Sequence, residues 1–213
     1  MQDKEQTNVE TCIRQGIAKN RQGKYAAAVA DFDEALRLDA GAAEAYYQRG
    51  NALLRLNKTD GAYADYSKAI DLKPDFADAY NNRSVVQAVR RNWDAAATDA
   101  SKAIRLQPDD ADPYYNRARA KSQNGNQGGA LRDINVAIRL RPDFADAYQM
   151  RATIKRGQGN LVGAIADLDK GIELAPGNSA PYMLRASVRL GLRNLRGGFA
   201  DIARAIACKI KRT

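Results

Sequence analysis

Histidine is absent from the 213-residue sequence. The chain therefore lacks the most common general base and the most common metal ligand. Gly125, Gly128 and Gly129 fall in a turn and an early helical segment, and they do not form a phosphate-binding loop after a predicted strand. We therefore expect no catalytic residues, no metal site and no cofactor, and we expect that the protein is not an enzyme.

Cysteines and long apolar runs are also scarce. The two cysteines, Cys12 and Cys208, lie near opposite ends of the sequence, and in an elongated fold they would be too far apart to form a disulfide. No run approaches the roughly 18–20 apolar residues of a transmembrane helix. Residues 1–9 are polar and contain no apolar segment of a signal peptide. These features favour a cytoplasmic location, and an exported mature form that has lost its signal is the alternative.

The most regular feature of the sequence is a period of 34 residues. Similar decapeptides occupy 40–49, 74–83, 108–117 and 142–151, and the second and fourth read PDFADAYNNR and PDFADAYQMR. Such a period is typical of arrays in which each repeat packs against its neighbours. We predict a polar N-terminal leader of residues 1–8, followed by a single array over residues 9–212. Its six repeats start at Val9, Ala43, Ala77, Ala111, Ala145 and Ser179.

Each repeat contains two segments in which small and apolar residues recur with helical spacing, separated by a short turn. Proline cannot continue a helix, so it ends the second segment of four repeats, at Pro74, Pro108, Pro142 and Pro176. An aspartate follows three of these prolines, and we expect Asp75, Asp109 and Asp143 to cap the next helix. The pattern predicts twelve helices in six antiparallel pairs.

Small residues recur at positions 8, 20 and 27 of the repeats, and large residues recur at positions 4 and 24. In the second repeat the small residues are Gly50, Ala62 and Ala69, and the large residues are Tyr46 and Tyr66. In this pattern the sequence resembles the tetratricopeptide repeat family over residues 9–212. The resemblance implies an all-α fold, a right-handed α-solenoid of six antiparallel helix pairs, with a function in protein–protein interaction.

Charged residues form a second periodic pattern. Arginine occupies position 7 in five repeats, and aspartate occupies position 23 in all six. We interpret them as structural ion pairs rather than as ligand-binding arginines, because the two series share the same spacing. Gln15 replaces the arginine of the first repeat, which suggests that each arginine pairs with the aspartate of the preceding repeat and leaves Asp201 unpaired. The arginines are Arg49, Arg83, Arg117, Arg151 and Arg185, and the aspartates are Asp31, Asp65, Asp99, Asp133, Asp167 and Asp201.

The resemblance also implies a binding face. In this family the first helix of each repeat lines a concave groove, with contacts at about positions 2, 5, 6, 9, 12 and 13. Carboxamides both donate and accept hydrogen bonds, so they can hold the backbone of an extended peptide, and tyrosines add apolar area. An ordinary solvated helix face is the alternative interpretation. The predicted peptide-binding residues are Tyr47, Gln48, Asn51, Asn81, Asn82, Tyr115, Asn116, Arg119 and Met150.

One known site of the family does not fit. Its chaperone-binding members clamp a C-terminal carboxylate with lysines and an arginine. Here Tyr47, Asp112 and Asn116 occupy the positions of those cations. We therefore do not expect binding of a chaperone tail.

The last repeat carries most of the net charge of +9, because its basic residues are opposed by one acidic residue, Asp201. Arg189, Arg193 and Arg196 are the predicted contacts for an anionic partner. Ile202, Ile206 and Ile210 are expected to leave an apolar face open, which predicts self-association through the C-terminal end. Nucleic acid is a less favoured partner, because the segment offers few aromatic residues for base stacking.

The leading hypothesis is a non-enzymatic adaptor that binds an extended or helical peptide across repeats two to five. Its partner is then a protein or peptide. The alternative is a self-assembling or end-stacking scaffold whose basic C-terminal repeat binds an acidic partner.

Overall fold

The computed structural model describes residues 2–210, with side chains from residue 8 onward. In this range the chain forms helices joined by short turns and contains no strand. The helices are α1 (Gln2–Arg21), α2 (Tyr25–Leu38), α3 (Ala43–Arg55), α4 (Thr59–Leu72), α5 (Ala77–Val89), α6 (Trp93–Leu106), α7 (Ala111–Gln123), α8 (Gln127–Leu140), α9 (Ala145–Gly157), α10 (Leu161–Leu174), α11 (Ser179–Gly191) and α12 (Leu195–Ile210).

The helix boundaries follow the repeat boundaries. The helices α3, α5, α7, α9 and α11 begin at the residues where the second to sixth repeats were expected to start. The first repeat differs, because α1 begins at Gln2 and includes most of the segment predicted to be a separate leader. That segment is polar but rich in residues with ordinary helix propensity, so it can extend the first helix.

The chain forms two compact units, Met1–Pro108 and Asp109–Thr213. Unit 1 contains α1–α6, and unit 2 contains α7–α12. Within each unit, consecutive helices pack as pairs, and the first helices of neighbouring pairs also contact each other. This arrangement confirms the predicted all-α solenoid of helix pairs, while a single array over residues 9–212 stays a prediction.

Among the helices of residues 2–210, none combines the length and the apolar character required to cross a bilayer.

Position 8 is small because a large side chain from position 24 packs directly against it. A Cβ atom on Gly50 would lie 2.8 Å from Cε1 of the buried Tyr66, which is closer than the ring tolerates. In unit 2 the same two positions hold Ala118 and Ile134, both buried in one apolar cluster. Glycine thus accompanies an aromatic ring, whereas alanine accompanies a smaller aliphatic side chain.

The arginine and aspartate series form ion pairs, which confirms their predicted structural role. Each arginine binds the aspartate sixteen residues later in the same repeat through two nitrogen atoms, as Arg117 does with Asp133. The predicted pairing with the position-23 aspartate of the preceding repeat is therefore wrong, although Arg49 and Arg185 also bind a different aspartate of the preceding repeat, Asp33 and Asp169 respectively. The five pairs, with N···O distances of 2.6–2.8 Å, are Arg49–Asp65, Arg83–Asp99, Arg117–Asp133, Arg151–Asp167 and Arg185–Asp201.

The first and last repeats show how the aspartates are satisfied. In the first repeat Lys19 Nζ lies 2.6 Å from Asp31 Oδ2 and replaces the missing arginine. In the last repeat Asp201 binds both Arg185 and Arg189. The expectation that Asp201 would be unpaired is therefore wrong.

Helix ends are only partly as expected. The helices α4, α6, α8 and α10 each end two residues before a proline, as predicted. Asp75 and Asp143 are not caps, because Phe76 and Phe144 occupy the N-cap positions of α5 and α9. Before α7 the capping side chain is Asp110 rather than Asp109, and it accepts a hydrogen bond from the backbone N–H of Asp112 at 3.1 Å.

Candidate functional site

In unit 1 the helices α3 and α5 bring four of the predicted site residues together. The Nδ2 atom of Asn82 donates to Asn51 Oδ1 at 2.8 Å and to Tyr47 Oη at 3.3 Å. Asn51 Nδ2 in turn lies 3.4 Å from Gln48 Oε1. Together with Tyr66, these residues form what we call the amide cluster: Tyr47, Gln48, Asn51, Tyr66 and Asn82.

Aromatic rings support the amide cluster on its buried side. Tyr66 is buried on α4, and its hydroxyl donates to Asn51 Oδ1 at 2.8 Å. The ring of Tyr47 packs 4.7 Å from the ring of Phe76, between centroids. Burial raises the pKa of Tyr66 and also the pKa of Tyr47. Both hydroxyls are therefore neutral at ordinary pH, and the cluster carries no charge.

A neighbouring helix extends this polar surface. Asn20, near the end of α1, donates from Nδ2 to the backbone oxygen of Gln48 at 3.3 Å. Its own Oδ1 is buried and has no hydrogen-bond partner among the described residues. Gln48 Nε2 donates to Glu44 at 2.8 Å on the other side. Residues from α1, α3 and α5 thus contribute to one continuous polar surface.

A cleft of about 440 Å³ lies against this surface. Its volume falls in the range of about 300–1,000 Å³ that is usual for ligand sites. Amides, two arginines and a few apolar side chains line it, and no carboxylate of residues 8–210 does. The lining residues are Asn20, Arg21, Tyr25, Gln48, Asn51, Leu54, Arg55, Asn82 and Val85.

Unit 2 repeats the aromatic part of this arrangement but keeps an amide at only one of the three positions, where Asn116 corresponds to Gln48. The ring of Tyr115 packs 4.9 Å from the ring of Phe144, much as Tyr47 packs against Phe76. At the positions of Asn51 and Asn82, unit 2 has Arg119 and Met150. Met150 packs against the apolar cluster that includes Ile154. Burial again raises the pKa of Tyr115.

The structure therefore separates the predicted peptide-binding residues into two groups. Tyr47, Gln48, Asn51 and Asn82 meet at one place, whereas Asn81 lies on α5 but does not line the cleft. The second group lies in unit 2, where Tyr115, Asn116 and Arg119 are on α7 and Met150 is on α9. A groove continuous across repeats two to five stays a prediction.

Sequence reasoning missed several residues of the cleft. Asn20, Arg21, Leu54 and Arg55 occupy positions 12 and 13 of the first two repeats, and applying the contact positions there would have found them. Tyr66 gave no such signal. Position 24 is a packing position, and only the structure shows that its hydroxyl reaches Asn51.

The predicted anion-binding arginines of the last repeat also fall into two groups, one paired within the chain and one exposed. Arg189 is paired with Asp201 at 2.9 Å, and its contact with an anionic partner stays a prediction. Arg193 and Arg196 are exposed on the surface, as expected.

Next to these arginines, α12 exposes a row of apolar side chains. The exposed fractions of Leu195, Phe199, Ile206 and Ile210 are 58%, 62%, 52% and 68%. Ile202 is half-buried, and Lys211 and Arg212 lie outside the described residues.

Over the described part of the chain, no group of three or more cysteine, aspartate or glutamate side chains is placed to hold a metal ion.

Models of repeat families match most of this chain. Models described as "Tetratricopeptide repeat" match residues 43–76, 100–132 and 145–178, and one described as "TPR repeat" matches residues 16–57. Together they cover more than half of the sequence. A comparison with curated protein sequences gives no match.

Solved structures with a similar fold have low sequence identity to this chain, 15–21% for the three described below. A chain of the APC/C hetero-tetramer Cut9–Hcn1 has a TM-score of 0.85 and 15% identity over 94% of this chain, which spans 40% of its length. PilF of Pseudomonas aeruginosa has a TM-score of 0.82 and 16% identity, with 92% of this chain and 90% of PilF covered. YrrB, described as having an unusual peptide-binding site, has a TM-score of 0.64 and 21% identity, with 83% of this chain and 91% of YrrB covered.

Proposed function

Because the chain belongs to the tetratricopeptide repeat family, whose fold generally serves protein interaction without catalysis, we propose that it is a non-enzymatic adaptor. In this proposal, unit 1 binds an extended peptide segment of a partner protein in the cleft beside the amide cluster. The observation that carries the proposal is the neutral, interlinked amide surface formed by Gln48, Asn51 and Asn82 at that cleft.

The chemistry of the amides supports a peptide ligand. An extended backbone presents alternating N–H and C=O groups, and a carboxamide offers a partner for both. Both N–H groups of the Asn82 amide already donate within the cluster. The group it retains for a ligand is its carbonyl oxygen, which would accept a backbone N–H. Asparagine is also a poor helix former, so two asparagines on α3 and α5 favour a use other than helix stability.

The shape of the cleft supports the same ligand. Leu54 and Val85 provide apolar surface beside the amides, so that side chains as well as backbone of a short segment can be buried. Among proteins of this fold, YrrB has a peptide-binding site.

The test uses peptides selected from a random display library against the full chain, with affinities measured by fluorescence polarisation. We expect Asn82→Ala to weaken the selected peptides at least about tenfold, because the cluster loses its central donor and the ligand loses an acceptor. Asn81→Ala is the matched control, because it removes the adjacent amide on the same helix outside the cleft, and it should leave affinity nearly unchanged. Equal affinities for wild type and Asn82→Ala would contradict the proposal.

A second candidate function is assembly through α12, for which the specific observation is the exposed row Leu195, Phe199, Ile206 and Ile210. Arg193 and Arg196 flank this row and would favour an acidic surface on the partner. Sedimentation velocity tests it, because Phe199→Ser with Ile206→Ser should reduce any concentration-dependent association. A protein that sediments as a monomer at all concentrations, with or without these changes, would contradict self-assembly.

A further inference from the structure

Two arginines give one side of the unit 1 cleft a positive charge. Arg21 ends α1 and Arg55 ends α3, so both occupy position 13 of their repeats, and both are exposed. Both line the cleft, and among the described side chains no aspartate or glutamate lines it. Their two charges therefore face the cleft without a neutralising group in its wall.

These arginines differ from most others in unit 1. Arg49 and Arg83 belong to the arginine–aspartate ladder, the row of ion pairs between positions 7 and 23 of repeats two to six, and Arg90 binds Asp60. Among the side chains of residues 8–210, by contrast, Arg21 and Arg55 make no ion pair or hydrogen bond. A cation at a helix C-terminus complements the helix dipole, which explains one exposed charge per helix. It does not explain why both charges point to the same cleft.

The cleft wall also contains a buried acceptor without a donor. Asn20 Oδ1 has no hydrogen-bond partner in the described structure, and such a group costs stability. Asn20 lines the cleft, so a peptide N–H that reached this oxygen would satisfy it. The Arg21 side of the cleft is therefore suited to hold a stretch of backbone together with an anionic side chain.

We propose that Arg21 and Arg55 select a peptide with an aspartate or glutamate side chain at this end of the cleft. A guanidinium binds a carboxylate with two parallel hydrogen bonds, which makes arginine well suited to this recognition. Leu54 and Val85 contact the neighbouring apolar residue of the same peptide. This inference rests on the proposed peptide-binding function and adds the sequence class of the ligand.

The experiment compares synthetic peptides derived from the display selection, each with an acetylated N-terminus and an amidated C-terminus. Selected peptides should share an acidic residue at one position, and its replacement by Gln or Asn should weaken binding about tenfold, the usual scale for a charge-assisted hydrogen bond. In the double variant Arg21→Glu/Arg55→Glu, the preference should reverse, because two carboxylates at this end of the cleft repel the acidic peptide and not the amide peptide. Lys68→Glu is the control, because it also reverses a positive charge, once, at an exposed position of α4 away from the cleft, and it should keep the preference.

The outcomes separate this inference from the broader proposal. If Asn82→Ala abolishes binding but the acidic and amide peptides bind equally to the wild type, the acid-selective subsite is refuted and the peptide site stands. Binding that requires a free C-terminal carboxylate would also refute the inference, because the anion would then be the peptide terminus. A selection that enriches no peptide would overturn both.

Discussion

Two tyrosine–phenylalanine pairs show how one scaffold carries two different surfaces. Tyr47 on Phe76 in unit 1 and Tyr115 on Phe144 in unit 2 have nearly the same separation, 4.7 and 4.9 Å. Around the first pair, amides form a connected hydrogen-bonded cluster. Around the second pair, Arg119 and Met150 occupy the corresponding positions. The helix pairs thus fix where a surface forms, and a few positions on it decide the chemistry.

The buried layer beneath the two surfaces differs with them. Tyr66 reaches Asn51 in unit 1, and its ring requires Gly50 beneath it. Ile134 takes the same place in unit 2 and tolerates Ala118. A glycine inside a helix costs about 0.5–1 kcal/mol relative to alanine. In unit 1 the glycine is therefore destabilising by itself, but it makes room for Tyr66, whose hydroxyl supports the amide cluster.

The largest effect is expected from breaking what both surfaces share, the arginine–aspartate ladder. Arg117→Leu should destabilise the protein by up to about 3–5 kcal/mol, because it leaves the buried Asp133 with Lys121 in place of its two-nitrogen partner. Urea unfolding measures this change. Arg119→Leu, two residues later on the same helix and outside the ladder, should cost less than about 1 kcal/mol. Similar losses for the two variants would contradict the structural role of the ladder.

The same pair predicts a pH dependence. Burial by itself would raise the pKa of Asp133, but hydrogen bonds from Arg117 and Lys121 outweigh it and lower the pKa. A lowered pKa in the folded state stabilises the protein above the unfolded value of about 3.9 and is lost as pH falls through the folded pKa. The stability difference between wild type and Asp133→Asn should therefore be full at pH 7 and shrink below about pH 4. A difference that stays constant down to pH 2 would rule this out.

A smaller effect is expected from exchanging residues between the two surfaces. Asn82→Met should cost about 1–3 kcal/mol, because Asn51 and Tyr47 lose a donor in a partly buried site. Met150→Asn should cost about 2 kcal/mol, because an amide replaces a thioether packed on an apolar cluster. Thermal unfolding of both variants tests whether each surface depends on its own neighbours. No loss in either variant would show that the two sets are interchangeable.

The smallest expected effect concerns the hydroxyl of Tyr66. Tyr66→Phe keeps the ring against Gly50 but removes one hydrogen bond to Asn51, which should cost about 1 kcal/mol. Peptide affinity should fall by a factor of a few, because Asn51 loses its orientation. Tyr63→Phe, on the same helix and outside the cluster, serves as the control. Unchanged affinity in Tyr66→Phe would show that the hydroxyl does not support the site.

Much of the fold follows from the sequence, because its signals are local. The 34-residue period and the prolines set the helix boundaries, and α3 begins at Ala43 as expected. The aspartate that pairs with each arginine cannot be predicted from local sequence. Arg49 has Asp31 eighteen residues before it and Asp65 sixteen residues after it, and only the antiparallel packing of α3 on α4 selects Asp65.

The site could be predicted less completely. Asn51 and Asn82 each occupy a known contact position of the family, so the repeat pattern was sufficient to predict that they lie close together. The role of Tyr66 was not, because its ring serves packing while its hydroxyl serves the cluster. The cleft with Arg21 and Arg55 depends on how three helices converge, and no single repeat reveals that convergence.

The measurement that tests the account most directly is a titration of the ¹⁵N-labelled full chain with a selected peptide, followed by NMR. The side-chain amide signals of Asn51 and Asn82, assigned with the Asn51→Ala and Asn82→Ala variants, should shift together with the backbone signals of Leu54 and Val85. The backbone signals of Tyr115, Arg119 and Met150 in unit 2 should move little. Shifts confined to unit 2 or to α12, with the Asn51 and Asn82 amides unchanged, would contradict the proposed site.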